Sequence, residues 1–170
     1  MPVRPIRLFP DDILSISCKA IASFDAPLRA LVSDLWDTMR ASPGVGLAAP
    51  QIGTLLRASV IDVDRVIRQK KTDSSYNGPL VIVNPKILEG DGGQTPREGC
   101  LSVPDLLANV RRHHRVRVEF RDEAGERKEI VAHGFEALAL QHEVDHLDGK
   151  LFLDRVSNLK TDVFRRKGAG

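Results

Sequence analysis

The feature that most constrains this chain is a pair of histidines inside an apolar helical segment. His142, Glu143 and His146 match the pattern H-E-x-x-H, which places both imidazoles on one face of a helix. The surrounding segment, Gly134–Leu147, carries apolar side chains on both faces, so this helix should be buried between two layers. Burying two unpartnered histidines would be costly. The pattern therefore predicts a metal site, with histidines satisfied by core hydrogen bonds as the less favoured alternative.

A catalytic metal site of this type needs a third protein ligand and one open position. Phe152 stands where one protease class has its third histidine, and no glutamate follows His146, so we expect the ligand upstream. Gly99 allows close backbone approach beside Cys100, and the extended segment Leu101–Val103 could lie against the helix. Cys100 is therefore the favoured ligand. The candidates considered were Cys18, Cys100, His113, His114 and His133.

The rest of the chain predicts an α+β fold, because short β-branched runs occur without regularly alternating helices. An amphipathic helix is expected over Pro27–Arg40 with Asp25 as its N-cap, and Arg68–Gly78 is expected to be an exposed loop. Only a short basic tail is expected after Lys160. The predicted strands are Ala58–Val63, Leu80–Asn84, Val116–Phe120 and Glu129–Ala132, the last two forming a hairpin across Asp122–Gly125. We predict mixed or antiparallel sheets packed around the central buried helix that carries the two histidines, as a single catalytic domain over residues 1–170.

Composition excludes several classes of protein. The chain is 42% hydrophobic and 28% charged over 170 residues, and it has no apolar run near the roughly 20 residues that cross a bilayer. A net charge of +2 gives no reason to expect nucleic-acid specificity. We interpret the cluster Arg111, Arg112, Arg115 and Arg117 as a solvated strand or loop. Two cysteines favour an intracellular, cytoplasmic protein, with a processed organelle form as the alternative.

A glycine-rich segment over residues 44–51 resembles a dinucleotide-binding fingerprint. That fingerprint needs a preceding strand and a following helix, whereas a helix precedes this segment and Pro50 interrupts it. Nucleotide binding is therefore disfavoured. We expect a tight loop of small residues that lets a peptide backbone approach and that ends in the amide of Gln51.

Three segments, GVGLAAPQ, EGCLS and QHEVDHLDG, resemble in this order the signature motifs of the peptide deformylase family. The resemblance runs from the first predicted helix to Lys160 and implies hydrolysis of the formyl group on the N-terminal methionine of new polypeptides. It implies Cys100, His142 and His146 as metal ligands, with iron(II) as the physiological ion and zinc or nickel as alternatives. Glu143 is implied as the catalytic acid/base. The Gln51 amide and the backbone N–H of Leu101 are implied to bind the formyl oxygen.

The same resemblance directs attention to the substrate. Its methionine needs an apolar pocket, for which the candidates are Val45, Phe135, Leu138 and Ala139, although plain core packing explains each of them equally well. The backbones of Gly46 and Gly99 are expected to pair with the extended peptide. The partners implied are formylmethionyl nascent peptides and, as an open question, the ribosome.

Two departures from the family pattern affect these expectations. Many family members carry an arginine where Leu107 stands, so Leu107 predicts a loose grip on the substrate beyond methionine. Some bacterial members use a longer basic C-terminal helix at the ribosome, and we do not expect that docking mode for this sequence. Two other functions stay open on the residues alone: a zinc peptidase that cleaves internal bonds, and a binding module whose arginine cluster contacts RNA.

Overall fold

The computed structural model describes residues 3–167 as two antiparallel sheets and three helices. The helices are α1 (Ala26–Arg40), α2 (Asp64–Lys70) and α3 (Phe135–Leu147). The strands are β1 (Gly46–Ala48), β2 (Ala58–Ile61), β3 (Leu80–Asp91), β4 (Arg97–Cys100), β5 (Val103–Asn109), β6 (Arg115–Arg121), β7 (Arg127–His133) and β8 (Val163–Arg165). The large sheet has the order β1-β2-β3-β6-β7 and the small sheet the order β4-β5-β8. The predicted α+β class is confirmed.

Helix α1 covers one face of the large sheet. Its first turn forms where predicted, because the Asp25 carboxylate accepts a hydrogen bond from the Leu28 N–H at 3.2 Å and Pro27 occupies the first turn. The apolar stripe of this helix packs against alternate residues of the sheet. The residues that meet in this layer include Leu28, Val32, Leu35, Met39, Leu47, Val60 and Val83.

Helix α3 covers the opposite face of the large sheet. It begins after Gly134, whose φ of +66° and contact with the Asp73 backbone both require glycine. Strand β2 shows how one strand serves both helices, since Val60 faces α1 while Ile61 faces α3. The apolar residues of this second layer include Ala137 and Leu140 of α3 with Ile82, Val118 and Phe120. Every residue of α3 except Phe135 and His142 is buried, as predicted. The small sheet packs on a separate apolar cluster that contains Cys100, Val103, Ala108 and Phe152.

Several local predictions need correction. The sheet arrangement is not among them, because every strand pair in the two sheets is antiparallel, one of the two predicted alternatives. Strand β3 does not end at Asn84 but continues past Pro85 through an irregularity between Val83 and Lys86. The loop predicted over Arg68–Gly78 begins inside α2. The basic tail predicted after Lys160 contains β8, which pairs with β5.

Two further corrections concern the segments near the histidine helix. The glycine-rich loop includes strand β1, which pairs with β2 through Gly46↔Ile61 and Ala48↔Ser59. The segment expected to be extended beside Cys100 instead turns sharply, because Cys100 pairs with Val103 across the two residues between them. No helix within residues 3–167 is long and apolar enough to span a bilayer.

Candidate active site

Strand β4 and helix α3 bring together three side chains that could bind a metal ion. The Nε2 atoms of His142 and His146 lie 3.2 Å apart, and the Sγ of Cys100 lies 3.4 Å from the Nε2 of His146. The three ligand atoms all lie within 4.8 Å of one another. A thiolate and two imidazoles that converge in this way fit a divalent transition metal. Among the residues that the structure describes, no other set of three such ligands converges.

The electrostatics of this group favour metal binding. Burial opposes ionisation of the Cys100 thiol, but attraction and hydrogen bonding by His146 and His142 outweigh it and hold the pKa of Cys100 well below its usual range. Burial opposes protonation of His142, but hydrogen bonds with Cys100 and Glu98 and attraction to Cys100 and Glu143 outweigh it and raise the pKa of His142 well above its usual value. A metal ion would take the place of the proton that these ligands share.

Glu143 is held by two neighbours on the large sheet. The Ser59 hydroxyl lies 3.1 Å from Oε2 of Glu143 and 2.9 Å from the carbonyl oxygen of Leu47. A Cβ atom on Gly46 would lie only 2.5 Å from Oε1 of Glu143, so only glycine fits there. Burial raises the pKa of Glu143, and attraction to His146 and His142 opposes that rise. The carboxylate is therefore fixed in position and desolvated, as proton transfer at neutral pH requires.

The Gln51 amide has its orientation set by the backbone. Its Oε1 accepts the Ala48 N–H at 2.9 Å, which turns the Nε2 group towards the metal ligands. That group donates to Ser102 Oγ at 3.1 Å and lies 3.7 Å from Cys100 Sγ. Leu101 occupies the turn between β4 and β5, where its N–H donates to no backbone or side-chain acceptor within residues 3–167. Both predicted donors are therefore adjacent to Cys100.

The predicted pocket residues are only partly brought together. Val45 and Phe135 are half-buried and pack on the cluster that contains Ala139, whereas Leu138 is buried outside that cluster. The two predicted backbone contacts lie on edge strands, Gly46 on β1 and Gly99 on β4. Within the described sheets, β1 pairs only with β2 and β4 only with β5. Each strand therefore has a free edge to which a peptide can add.

A buried chain of ion pairs behind His142 was missed by the sequence analysis. Glu98 Oε1 lies 2.7 Å from Nδ1 of His142, and both Glu98 oxygens accept hydrogen bonds from Arg112 at 2.8 Å. Arg112 also donates to Asp145 at 2.6 Å, and Asp145 accepts two hydrogen bonds from Arg155. The interpretation of Arg112 as a solvated residue was therefore wrong, because the side chain is 2% exposed.

This chain of charges fixes the orientation of His142. Burial raises the pKa of Glu98, but hydrogen bonds from Arg112 and His142 outweigh it and lower the pKa to about 2. The carboxylate therefore accepts a hydrogen bond from the Nδ1–H of His142, which leaves Nε2 of His142 free to bind a metal. A usable sequence signal was Asp145, since a carboxylate on a buried helix must be paired. By contrast, Nδ1 of His146 has no hydrogen-bond partner within residues 3–167.

Comparisons with known proteins agree on one family. The family model described as polypeptide deformylase matches residues 3–162. A peptide deformylase from Mesorhizobium japonicum is 44% identical over 168 residues, covering 98% of this chain and 92% of that protein. One from Desulfotalea psychrophila is 40% identical over 167 residues, covering 98% and 95%. The crystal structure of a peptide deformylase from Legionella pneumophila superposes with a TM-score of 0.84 at 43% identity, covering 94% of this chain and 89% of that one.

Proposed function

This chain belongs to the peptide deformylase family, and from that premise we propose which of its residues remove the formyl group from N-terminal methionine. The enzyme is a metallohydrolase that acts on nascent polypeptides, with residues 1–170 as one catalytic domain. The observation that carries the residue assignment is the buried carboxylate of Glu143, on the helix that also carries the two histidines. This carboxylate packs against Gly46 and accepts a hydrogen bond from the Ser59 hydroxyl.

Cys100, His142 and His146 would hold the metal. A divalent ion there supplies Lewis-acid polarisation of a carbonyl and lowers the pKa of water towards about 7. We propose iron(II) as the physiological ion. Because one thiolate and two imidazoles also suit zinc and nickel, metal analysis of protein purified without oxygen is the measurement that decides between them.

The protein's own groups divide the remaining chemistry between them. Glu143 accepts a proton from the attacking water and returns it to the nitrogen that leaves as the free methionine amine. As the formyl carbon becomes tetrahedral, negative charge develops on its oxygen. The Gln51 amide and the Leu101 N–H then donate hydrogen bonds to that oxygen. Their donors are oriented before the reaction begins, so little reorganisation is needed when the charge develops.

The peptide enters between the free edges of β1 and β4. The backbones of Gly46 and Gly99 pair with it as with an added strand, and the methionine side chain enters the apolar region of Val45, Phe135, Leu138 and Ala139. The bacterial relatives and the two unpaired cysteines support a cytoplasmic reaction on formylmethionyl chains. Such chains emerge from the ribosome, which is therefore a transient neighbour, and neither a membrane nor a nucleic acid is proposed as a partner.

The test combines activity with metal content. We expect formate release from formyl-Met-Ala-Ser without cleavage of internal peptide bonds. Glu143→Gln should keep the metal and lose about 10²–10⁴-fold in rate, the usual loss of a general acid/base. Cys100→Ala should lose the metal, whereas Cys18→Ala should keep it, because Cys18 is a separate buried thiol whose pKa burial raises to about 11.

Three outcomes would contradict the assignment. Cleavage of internal bonds would favour a peptidase. Near wild-type turnover in Glu143→Gln would remove its role in proton transfer. Metal loss in Cys18→Ala with retention in Cys100→Ala would reverse the ligand assignment.

A further inference from the structure

The outer face of the small sheet lies beside the peptide-binding edge of β4. Side chains alternate along this strand. Glu98 and Cys100 face α3, where they contact the two histidines, so Arg97 and Gly99 face the other way. Gly99 has no side chain, which leaves the outer face of β4 open next to Cys100.

Strand β8 brings aromatic and cationic side chains onto this same outer face. Phe164 pairs with Leu107 of β5, and the Arg97 guanidinium stacks on the Phe164 ring at 3.9 Å. The pairing continues beyond Phe164, because the Arg166 N–H donates to the Asp105 carbonyl at 2.8 Å. Arg166 therefore lies on the same side of β8 as Phe164, two residues along the chain.

The side chain of Arg166 reaches across β5 to β4. A Cβ atom on Gly99 would lie 2.5 Å from Nη2 of Arg166 and 2.8 Å from Cδ2 of Leu107. The guanidinium thus occupies the space that Gly99 leaves open, above the side chain of Leu107. Its position is beside the free edge of β4 and one residue from the metal ligand Cys100.

Among the residues that the structure describes, the Arg166 guanidinium has no partner of its own. Within residues 3–167 it forms no ion pair with a carboxylate and no hydrogen bond, and the residue is exposed. By contrast, Arg117 on β6 is paired with Glu89 and Glu129. Five N–H donors are therefore available at the edge where an extended peptide presents main-chain carbonyl oxygens.

We propose that Arg166 binds the main chain of the substrate beyond its methionine, donating charge-assisted hydrogen bonds to a peptide carbonyl. This inference rests on the proposed function and identifies Arg166 as the residue that makes the enzyme prefer longer peptide substrates. It replaces the expectation of a loose grip drawn from Leu107, because the cation comes from the residue that follows β8 instead of from β5. The substrates affected are those with at least two residues after the formylated methionine.

The experiment compares substrate lengths across matched variants of the metal-loaded enzyme. Arg166→Ala should lower kcat/KM on formyl-Met-Ala-Ser by about 10- to 100-fold, the loss typical of a hydrogen bond from a charged group. On formylmethionine amide, which lacks the later residues, the loss should be under about threefold. Arg165→Ala is the control, since Arg165 is an exposed arginine on the opposite side of the same strand. Arg166→Lys keeps the charge without the planar fork and should fall between.

A binding measurement separates this proposal from the proposed function. The unformylated peptides Met-Ala and Met-Ala-Ser are titrated into each variant, and their Kd values need no turnover. Arg166→Ala should reduce or remove the affinity that the third residue adds, while Arg165→Ala should not. Equal losses on long and short ligands, or equal effects of the two arginines, would overturn the role of Arg166. Absence of formate release by the wild type would instead overturn the proposed function, with the binding data still deciding about Arg166.

Discussion

At the scale of single residues, two glycines make room for the charged groups of the site. Gly46 leaves space for the Glu143 carboxylate, and Gly99 leaves space for the Arg166 guanidinium. Neither glycine has a positive φ, so the close approach of these charged side chains, and not backbone conformation, distinguishes the two positions. Each charged side chain occupies space that a side chain at the neighbouring glycine would fill.

Gln51 provides a test of how the developing charge is stabilised. Gln51→Ala removes the donor beside Cys100 and should lower kcat by about 10²–10³-fold while changing KM little, because the donor acts on charge present only in the transition state. Steady-state kinetics on formyl-Met-Ala-Ser measures both constants.

Gln141 supplies the matched control for Gln51. It is also a buried glutamine, but its hydrogen bonds go to His113 and Ala137. Gln141→Ala should destabilise the protein without a comparable loss in kcat. A rise in KM at unchanged kcat in Gln51→Ala would make Gln51 a residue that positions the substrate.

At the scale of elements, buried ion pairs join the small sheet to α3. Arg112 bonds Glu98 of β4 and Asp145 of α3, and both carboxylates are nearly inaccessible to solvent. Burial raises the pKa of Asp145, but the hydrogen bonds from Arg155 and Arg112 outweigh it and lower that pKa. The network therefore stays charged at neutral pH and connects the strand that carries Cys100 to the helix that carries the histidines.

Removing Arg112 should destabilise the fold strongly. Arg112→Met leaves Glu98 with His142 alone and Asp145 with Arg155 alone, and breaking a buried ion pair typically costs about 3–5 kcal/mol. Arg117→Met on β6 breaks an ion-pair set that is more exposed to solvent and should cost much less, because solvent screens exposed ion pairs. Urea unfolding of the metal-free variants measures both. Equal losses in the two variants would show that the buried network does not join the layers.

The sequence predicted the elements that carry strong periodic patterns and missed those that do not. Helices α1 and α3 and strands β2, β6 and β7 have apolar or β-branched patterns over several residues, and each was found near its true bounds. Strands β1, β4 and β8 span three or four residues. They exist because distant backbone pairs with them, which no local pattern reveals.

The candidate site divides in the same way. The histidine and glutamate positions follow from spacing within one helix, and the cysteine from its motif. Glu98, Arg112 and Arg166 depend on which strands become neighbours. Arg112 lies in a cluster of arginines in the sequence, yet only the distant carboxylates Glu98 and Asp145 explain its burial.

At the scale of the whole molecule, the proposed metal ligands come from two layers. Cys100 belongs to the small sheet, whereas His142 and His146 belong to the helix that packs on the large sheet. An ion bound to all three would therefore connect the two sheets through α3. Its binding energy would add to the free energy of unfolding, since the unfolded chain does not hold the three ligands together.

Metal removal should consequently loosen one part of the molecule more than the other. At free metal about 100-fold above its Kd, bound metal contributes about 2.7 kcal/mol to stability, so chelation should lower Tm. Hydrogen exchange should accelerate mainly in β4 and β5 and in the C-terminal half of α3. The hairpin β6–β7 should change little, because it pairs within the large sheet across seven registered positions. Mass spectrometry of exchanged, metal-free and metal-loaded protein measures these segments separately. A uniform acceleration across both sheets would show that the metal stabilises the fold as a single cooperative unit. In that outcome, β4 and α3 would depend on the metal no more than the rest of the fold does.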